Sequence, residues 1–124
     1  MPKDIGNNRV QMELPTTVIV EIPKSIRIQG GDYTPDWYED DDGTYIEYNG
    51  VVEDDGMILF NWAVYIDCMG DKIYVSARID GDCWDDTTVP IKDAYDAVLD
   101  MAESLDDQLT KILNDEDYLK PMEE

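Results

Sequence analysis

Five carboxylates, Asp93, Asp96, Asp100, Glu103 and Asp107, follow one another at steps of three and four residues near the C-terminal end of this chain. On a helix that spacing lines them along a single stripe, each step rising about 4.5–6 Å at roughly 1.5 Å per residue. A row of fixed negative charges makes and breaks no bonds; its chemistry is attraction of cations and cationic surfaces. A second acidic group, Asp36, Trp37, Tyr38, Glu39, Asp40, Asp41 and Asp42, mixes acids with aromatic rings after the breaker Gly30-Gly31. It reads as a loop from Asp32 to Asp42. In such a loop the rings either anchor a basic partner that the carboxylates steer in, or fold back to cap the end of a sheet.

Other chemistries find less support. Asp40-Asp41-Asp42, Asp54-Asp55 and the group Asp80, Asp82, Asp85 and Asp86 offer the oxygen ligands that calcium and magnesium take. The EF-hand spacing is missing, however: counting back from Gly43, Gly56 or Gly81 as its sixth position puts Tyr38, Val51 or Ser76 where the first aspartate belongs. Turn chemistry accounts for the Asp-Gly elements, and no dedicated metal site is expected. There is no histidine, which removes imidazole bases, His-dependent triads and most zinc sites. A carboxylate-pair hydrolase would need one pair set apart from the rest, and nothing singles one out. Cys68 and Cys83 lack a cationic activator nearby in sequence and read as free thiols, behaving as small hydrophobes. No cofactor motif is present, and the expectation is a protein that is not an enzyme.

The charge balance gives these acids their weight. Thirty Asp and Glu face nine Lys and Arg, a net charge of −21 and a pI near 4.1. Residues 1–30 carry Lys3, Arg9, Lys24 and Arg27 against Asp4, Glu13 and Glu21, a net of +1, so residues 31–124 carry −22. The acidity therefore belongs to the body of the fold. Nucleic acid and anionic membranes would both be repelled, which leaves basic proteins or cations as partners. No run approaches the length of a membrane span, and the first residues lack the apolar stretch of a secretory signal, so a cytoplasmic location is expected. No feature fixes the oligomeric state.

At 43% hydrophobic residues the chain can bury enough apolar surface to fold despite its charge, and 124 residues suit one domain. Residues 1–15 show no period and read as a loose N-terminal arm, residues 16–114 as a single α+β domain, and residues 115–124 as an acidic tail. Thr17–Ile22, Ser25–Gln29 and Thr44–Tyr48 read as strands, and Asn49-Gly50 as a hairpin turn into Val51–Glu53. Ile58, Phe60, Trp62, Val64 and Ile66 alternate on one face, and Ile73, Val75, Ala77 and Ile79 repeat the pattern after a turn at Met69-Gly70-Asp71. Cys83-Trp84 starts a short further strand or covers an edge. After Pro90, Ile91, Ala94, Tyr95, Val98, Ala102, Leu105, Leu109, Ile112 and Leu113 recur with helical period. The fold class expected is α+β: an antiparallel sheet of about four to six strands, with one long C-terminal amphipathic helix packed on one face.

Small size, strong acidity, the Asp93–Asp107 stripe and the aromatic-acidic segment Asp32–Asp42 together make a chain that resembles the nucleic-acid-mimic inhibitors of bacteriophages, the anti-restriction and anti-CRISPR proteins among them. The resemblance is one of class, and no family motif is matched. It implies a protein, in a host cytoplasm if phage-encoded, that occupies the DNA- or RNA-binding groove of a basic host defence protein without performing chemistry. Two alternatives stand beside it. In a halophile-adapted protein the acids serve solubility and spread over every exposed face; in a structural interaction subunit they bind a basic partner without imitating nucleic acid.

Overall fold

Long alternating apolar runs and one amphipathic run dictate most of the architecture. The computed structural model describes residues 3–13, 19–40, 43–54, 56–69 and 71–114. The strands are β1 (Lys3–Gly6), β2 (Arg9–Glu13), β3 (Ile19–Pro23), β4 (Ile26–Ile28), β5 (Gly31–Tyr33), β6 (Asp36–Asp40), β7 (Gly43–Asp54), β8 (Met57–Met69), β9 (Lys72–Ile79) and β10 (Asp82–Pro90). A 3-10 turn at Ile91–Asp93 then leads into the helix α1 (Ala94–Leu113). The fold is α+β, but its strands form three antiparallel sheets where one was expected: β1-β2-β3, β4-β5, and the five-stranded β10-β9-β8-β7-β6.

Widths explain the extra sheets. Five strands at about 4.8 Å spacing span roughly 19 Å, whereas one helix is about 10 Å across, too narrow to cover the whole sheet. Helix α1 touches β8, β9 and β10, and on its other flank β3 and β4. Beyond it, β3 and the β4–β5 hairpin supply further cover. The Tyr48 hydroxyl on β7 donates a buried 2.6 Å hydrogen bond to the carbonyl of Pro23 on β3. The Tyr33 ring on β5 meets Trp62 on β8 edge to face, with centroids 4.8 Å apart. Val20, Ile22, Ile26, Ile28, the inward residues of β7–β9 and the helix residues Val98, Ala102, Leu105 and Leu109 form one continuous core.

The hairpin of β8 and β9 and the C-terminal helix follow the sequence period. Phe60, Trp62, Val64, Ile66, Ile73, Val75 and Ala77 are buried on the inner face, and α1 starts after Pro90, with Pro90 heading the 3-10 turn. Ile58 departs from the pattern and is 61% exposed. The register skips between Val52 and Glu53, so Leu59 is the extra residue of a bulge and Ile58 falls on the outer face.

Three expectations need correcting. Residues 3–13, read as part of a loose arm, form β1 and β2, joined by Asn7 and Asn8 at φ 57° and 62°. That is the left-handed pair a two-residue hairpin turn requires. Val10 and Met12 are buried in the core. Within the segment Asp32–Asp42, read as a loop, Asp32 and Tyr33 belong to β5 and Asp36–Asp40 form β6, while Asp41 and Asp42 lie outside the described residues. Asn49-Gly50 makes no turn but lies within β7, where Gly50 pairs with Trp62. A Cβ on Gly50 would sit 2.7 Å from the Tyr33 ring and 2.8 Å from the Trp62 indole, so glycine is there for close approach. The expected tail, 115–124, lies outside the described residues, as do Thr17, Val18 and Gly70.

Gly50→Ala is expected to lower unfolding stability by about 1–3 kcal/mol through overpacking, while Asn49→Ala, at an exposed position, changes it by less than about 0.5 kcal/mol. Urea unfolding of both variants checks this. A hairpin turn at Asn49-Gly50 would make both substitutions costly.

Candidate functional site

Helix geometry sorts the carboxylates of α1 by what they face. Ala94, Val98, Met101, Ala102, Leu105, Leu109 and Ile112 are buried. At about 100° per residue, Asp96, Asp100, Glu103 and Asp107 fall within a narrow arc diametrically opposite that core-facing stripe. All four are exposed, and among the described residues none takes part in an ion pair. Asp93 is also exposed but stands in the 3-10 turn as the residue capping α1, so the regular helical stripe is these four. Asp106 has a structural part. Its Oδ1 accepts from the Gln29 backbone N–H at 2.8 Å and from Gln29 Nε2 at 2.7 Å, tying the β4–β5 turn to the helix.

The stripe continues onto β10. A shallow groove of about 270 Å³ between β10 and α1 is lined by Asp85, Thr87, Val89, Ala97, Asp100, Met101 and Ser104. Asp100 of the stripe and Asp85 of the strand thus share one concavity. Asp86 points to the outer face of the sheet, where its carboxylate accepts a 2.8 Å hydrogen bond from the Tyr74 hydroxyl and pushes that phenol up to about 12. Sequence reasoning missed the Asp85–Val89 part of this surface because aspartates disfavour strands, although Thr87-Thr88-Val89 carried a β-branched signal.

The aromatic-acidic segment lies elsewhere. Strand β6 is the opposite edge of the five-stranded sheet from β10, roughly 19 Å away across four interstrand steps. Strand alternation separates its two anchors: Trp37 is partly buried against the core, while Tyr38 is 40% exposed on the outer face. Tyr38 begins a cross-strand stack with Tyr45 (centroids 4.8 Å) and Tyr65 (5.1 Å), which ends with Arg78 4.8 Å over the Tyr65 ring. Desolvation in this stack, then the nearby Asp36 and Glu47 charges, raises the Tyr38 phenol above its ordinary value. Asp36 is exposed on the same face; Asp41 and Asp42 lie outside the described residues, and Glu39 and Asp40 are described by their backbone alone. The structure therefore aligns Asp96, Asp100, Glu103 and Asp107 on one face of α1, brings Asp100 of them into one groove with β10, and sets the Asp36–Asp40 strand apart.

The ion pairs found among the described residues gather on the N-terminal strands. Arg9 pairs with Glu21 at 3.1 Å, Lys24 with Asp4 at 2.7 Å and Arg27 with Asp32 at 3.6 Å, all within β1–β5 and their connections. Arg9 also lies 3.8 Å over the Tyr95 ring at the start of α1. The Lys24 hydrogen bond holds the Asp4 carboxyl below its usual range. These are exposed pairs, of small energetic weight, but they neutralise that side.

No protein-family model, curated protein or solved structure matches the chain. Among the described residues no group of three or more acids or thiols is arranged to hold a metal ion, and no helix is long and apolar enough to cross a membrane. Cys83 is exposed and Cys68 partly buried, both as free thiols, and burial followed by the Asp67 charge pushes the Cys68 thiol up to about 11.

Two outcomes follow. Glu103→Gln removes like-charge repulsion with Asp100 and Asp107 and is expected to raise stability by a few tenths of a kcal/mol, whereas Asp106→Ala, which leaves Gln29 without its acceptor, lowers it by about 1 kcal/mol or more; thermal unfolding compares them. With a thiol reagent at pH 8, Cys83 reacts in a fast phase that Cys83→Ser abolishes. Cys68, protonated at that pH, reacts slowly.

Proposed function

We infer that this protein is an acidic mimic of nucleic acid, which occupies the basic binding groove of a host defence protein such as a CRISPR effector or restriction enzyme. It acts by occupancy, without bond chemistry or a cofactor, and its partner is a basic nucleic-acid-binding protein in the cytoplasm. In this reading α1 is a long amphipathic helix laid on the inner face of the five-stranded sheet. The observation that supports it most is the stripe Asp96, Asp100, Glu103 and Asp107, directed away from the core and continued by Asp85 across the groove.

The physical basis is a match of scale and rigidity. Phosphates of one B-DNA strand advance about 3.4 Å each along the axis, and their direct separation is longer because the strand winds. The helical carboxylates rise about 4.5–6 Å per step. A groove that grips phosphates by releasing counterions accepts carboxylates at that spacing if they are held in place, and the buried face of α1 holds them. Unrelieved repulsion along the stripe costs stability, which is tolerable in a surface meant to meet cations. Salt adaptation would spread acids over all sides. Against it, residues 3–33 carry four basic and four acidic side chains.

Capture of a host protein on the immobilised chain, followed by competition with duplex DNA, tests the reading. The captured protein should lose DNA binding at saturation, and the inhibition should weaken as salt rises. The triple variant Asp96→Asn, Asp100→Asn, Glu103→Gln should lose it at physiological salt. A partner that still binds DNA normally at saturation would leave an interaction subunit in place of a mimic.

A further inference from the structure

We propose that the edge of β10 is a docking site for an extended, basic segment of the partner, which adds to the five-stranded sheet as a sixth strand and places alternate side chains in the acidic groove beside α1. The proposal rests on the preceding functional reading and names how the partner is gripped there.

Strand β10 is the terminal strand of the five-stranded sheet, and every residue of it except Val89 is exposed. An edge strand presents a row of backbone donors and acceptors ready to pair with another chain. The bulge at Cys83–Asp85 breaks the ladder at one end and Pro90, which has no N–H, closes it at the other. Between them Asp85–Val89 runs in unbroken register with β9. Asp85, Thr87 and Val89 stand opposite Ala77, Val75 and Ile73, on the inner side. The same three residues line the groove with Ala97, Asp100, Met101 and Ser104 of α1. An added strand about 4.8 Å beyond β10 runs along the mouth of that groove.

Charge decides the occupant. A second copy pairing antiparallel through Asp85–Val89 would set Asp85 and Asp86 of each chain opposite Val89 and Thr88 of the other and bring two strongly acidic surfaces together, which opposes pairing. A segment alternating lysine or arginine with apolar residues complements the site: the side chains of one parity all face the groove, where its cations meet Asp85 and Asp100 and their methylene stems cover Val89, Ala97 and Met101.

The probe is an acetylated, amidated heptapeptide of alternating lysine and valine, titrated into the isotopically labelled full chain. Amide hydrogen exchange and chemical shifts are read, and the same peptide with N-methyl groups on its pairing edge serves as control. Strand addition predicts new protection of those alternate amides within Asp85–Val89 that point away from β9, Asp86 exchanging its bond to the Asp85 carboxylate for one to the peptide, with the N-methylated peptide bound about tenfold or more weakly because main-chain hydrogen bonds are lost. It further predicts that Asp85→Lys with Asp100→Lys weakens the lysine peptide and lets a glutamate-valine peptide bind in its place. Equal binding of both lysine peptides, with shifts spread over α1 and no protection of β10, overturns strand addition while leaving a purely electrostatic interface intact. Protection of β10 in a dimer without peptide overturns it in favour of self-pairing. Failure of the DNA competition, with β10 still protected by the peptide, sinks the mimic reading alone.

Discussion

A wide sheet with one apolar face must be roofed, and everything else in this molecule follows from how that is done. The helix touches β8, β9 and β10 as well as β3 and β4, and the Tyr48 hydroxyl, bonded to the Pro23 carbonyl, joins the N-terminal sheet to the same core. Gly50 lets Tyr33 and Trp62 close over the β7 backbone. With its inner side committed to this contact, α1 can display acids only outwards, and its buried residues fix their direction. Interior packing thus sets the geometry of the charged exterior.

How legible this was depended on whether local pattern and tertiary role agreed. The β8–β9 hairpin and α1 were readable because long periodic runs met ordinary burial. Strands β6 and β10 were obscured by aspartates, which count against a strand unless its edge position and exposed side chains are known. Asn49-Gly50 carried the strongest short-range turn signal in the chain and was misleading, since the reason for the glycine is an indole from another strand and a tyrosine from a third. Asn7-Asn8 was a true turn that went unread, because the residues around it alternate only weakly. The bulge at Leu59 turned Ile58 outwards, something that period alone cannot show.

The candidate site was half legible. Helical spacing identified Asp96, Asp100, Glu103 and Asp107 correctly as neighbours, since that depends only on 3.6 residues per turn. Spacing could not show that Asp106, in the same run, is occupied in holding Gln29, nor that Asp85 lies across a groove from Asp100. Both depend on contacts distant in sequence. The Trp37-Tyr38 pair illustrates the opposite failure: adjacent in sequence, the two rings are turned to opposite faces by strand alternation, so they do not act as one anchor.

The separation of balanced strands β1–β5 from the acidic β10 and α1 gives the molecule an electric dipole as well as a net charge. In the field of a cationic surface a torque acts on that dipole before any atom touches. The molecule then arrives with the helix and its neighbouring strand leading and the neutral sheets trailing. Collisions in other attitudes become rarer, so the encounter is aligned at a distance and fewer approaches are wasted.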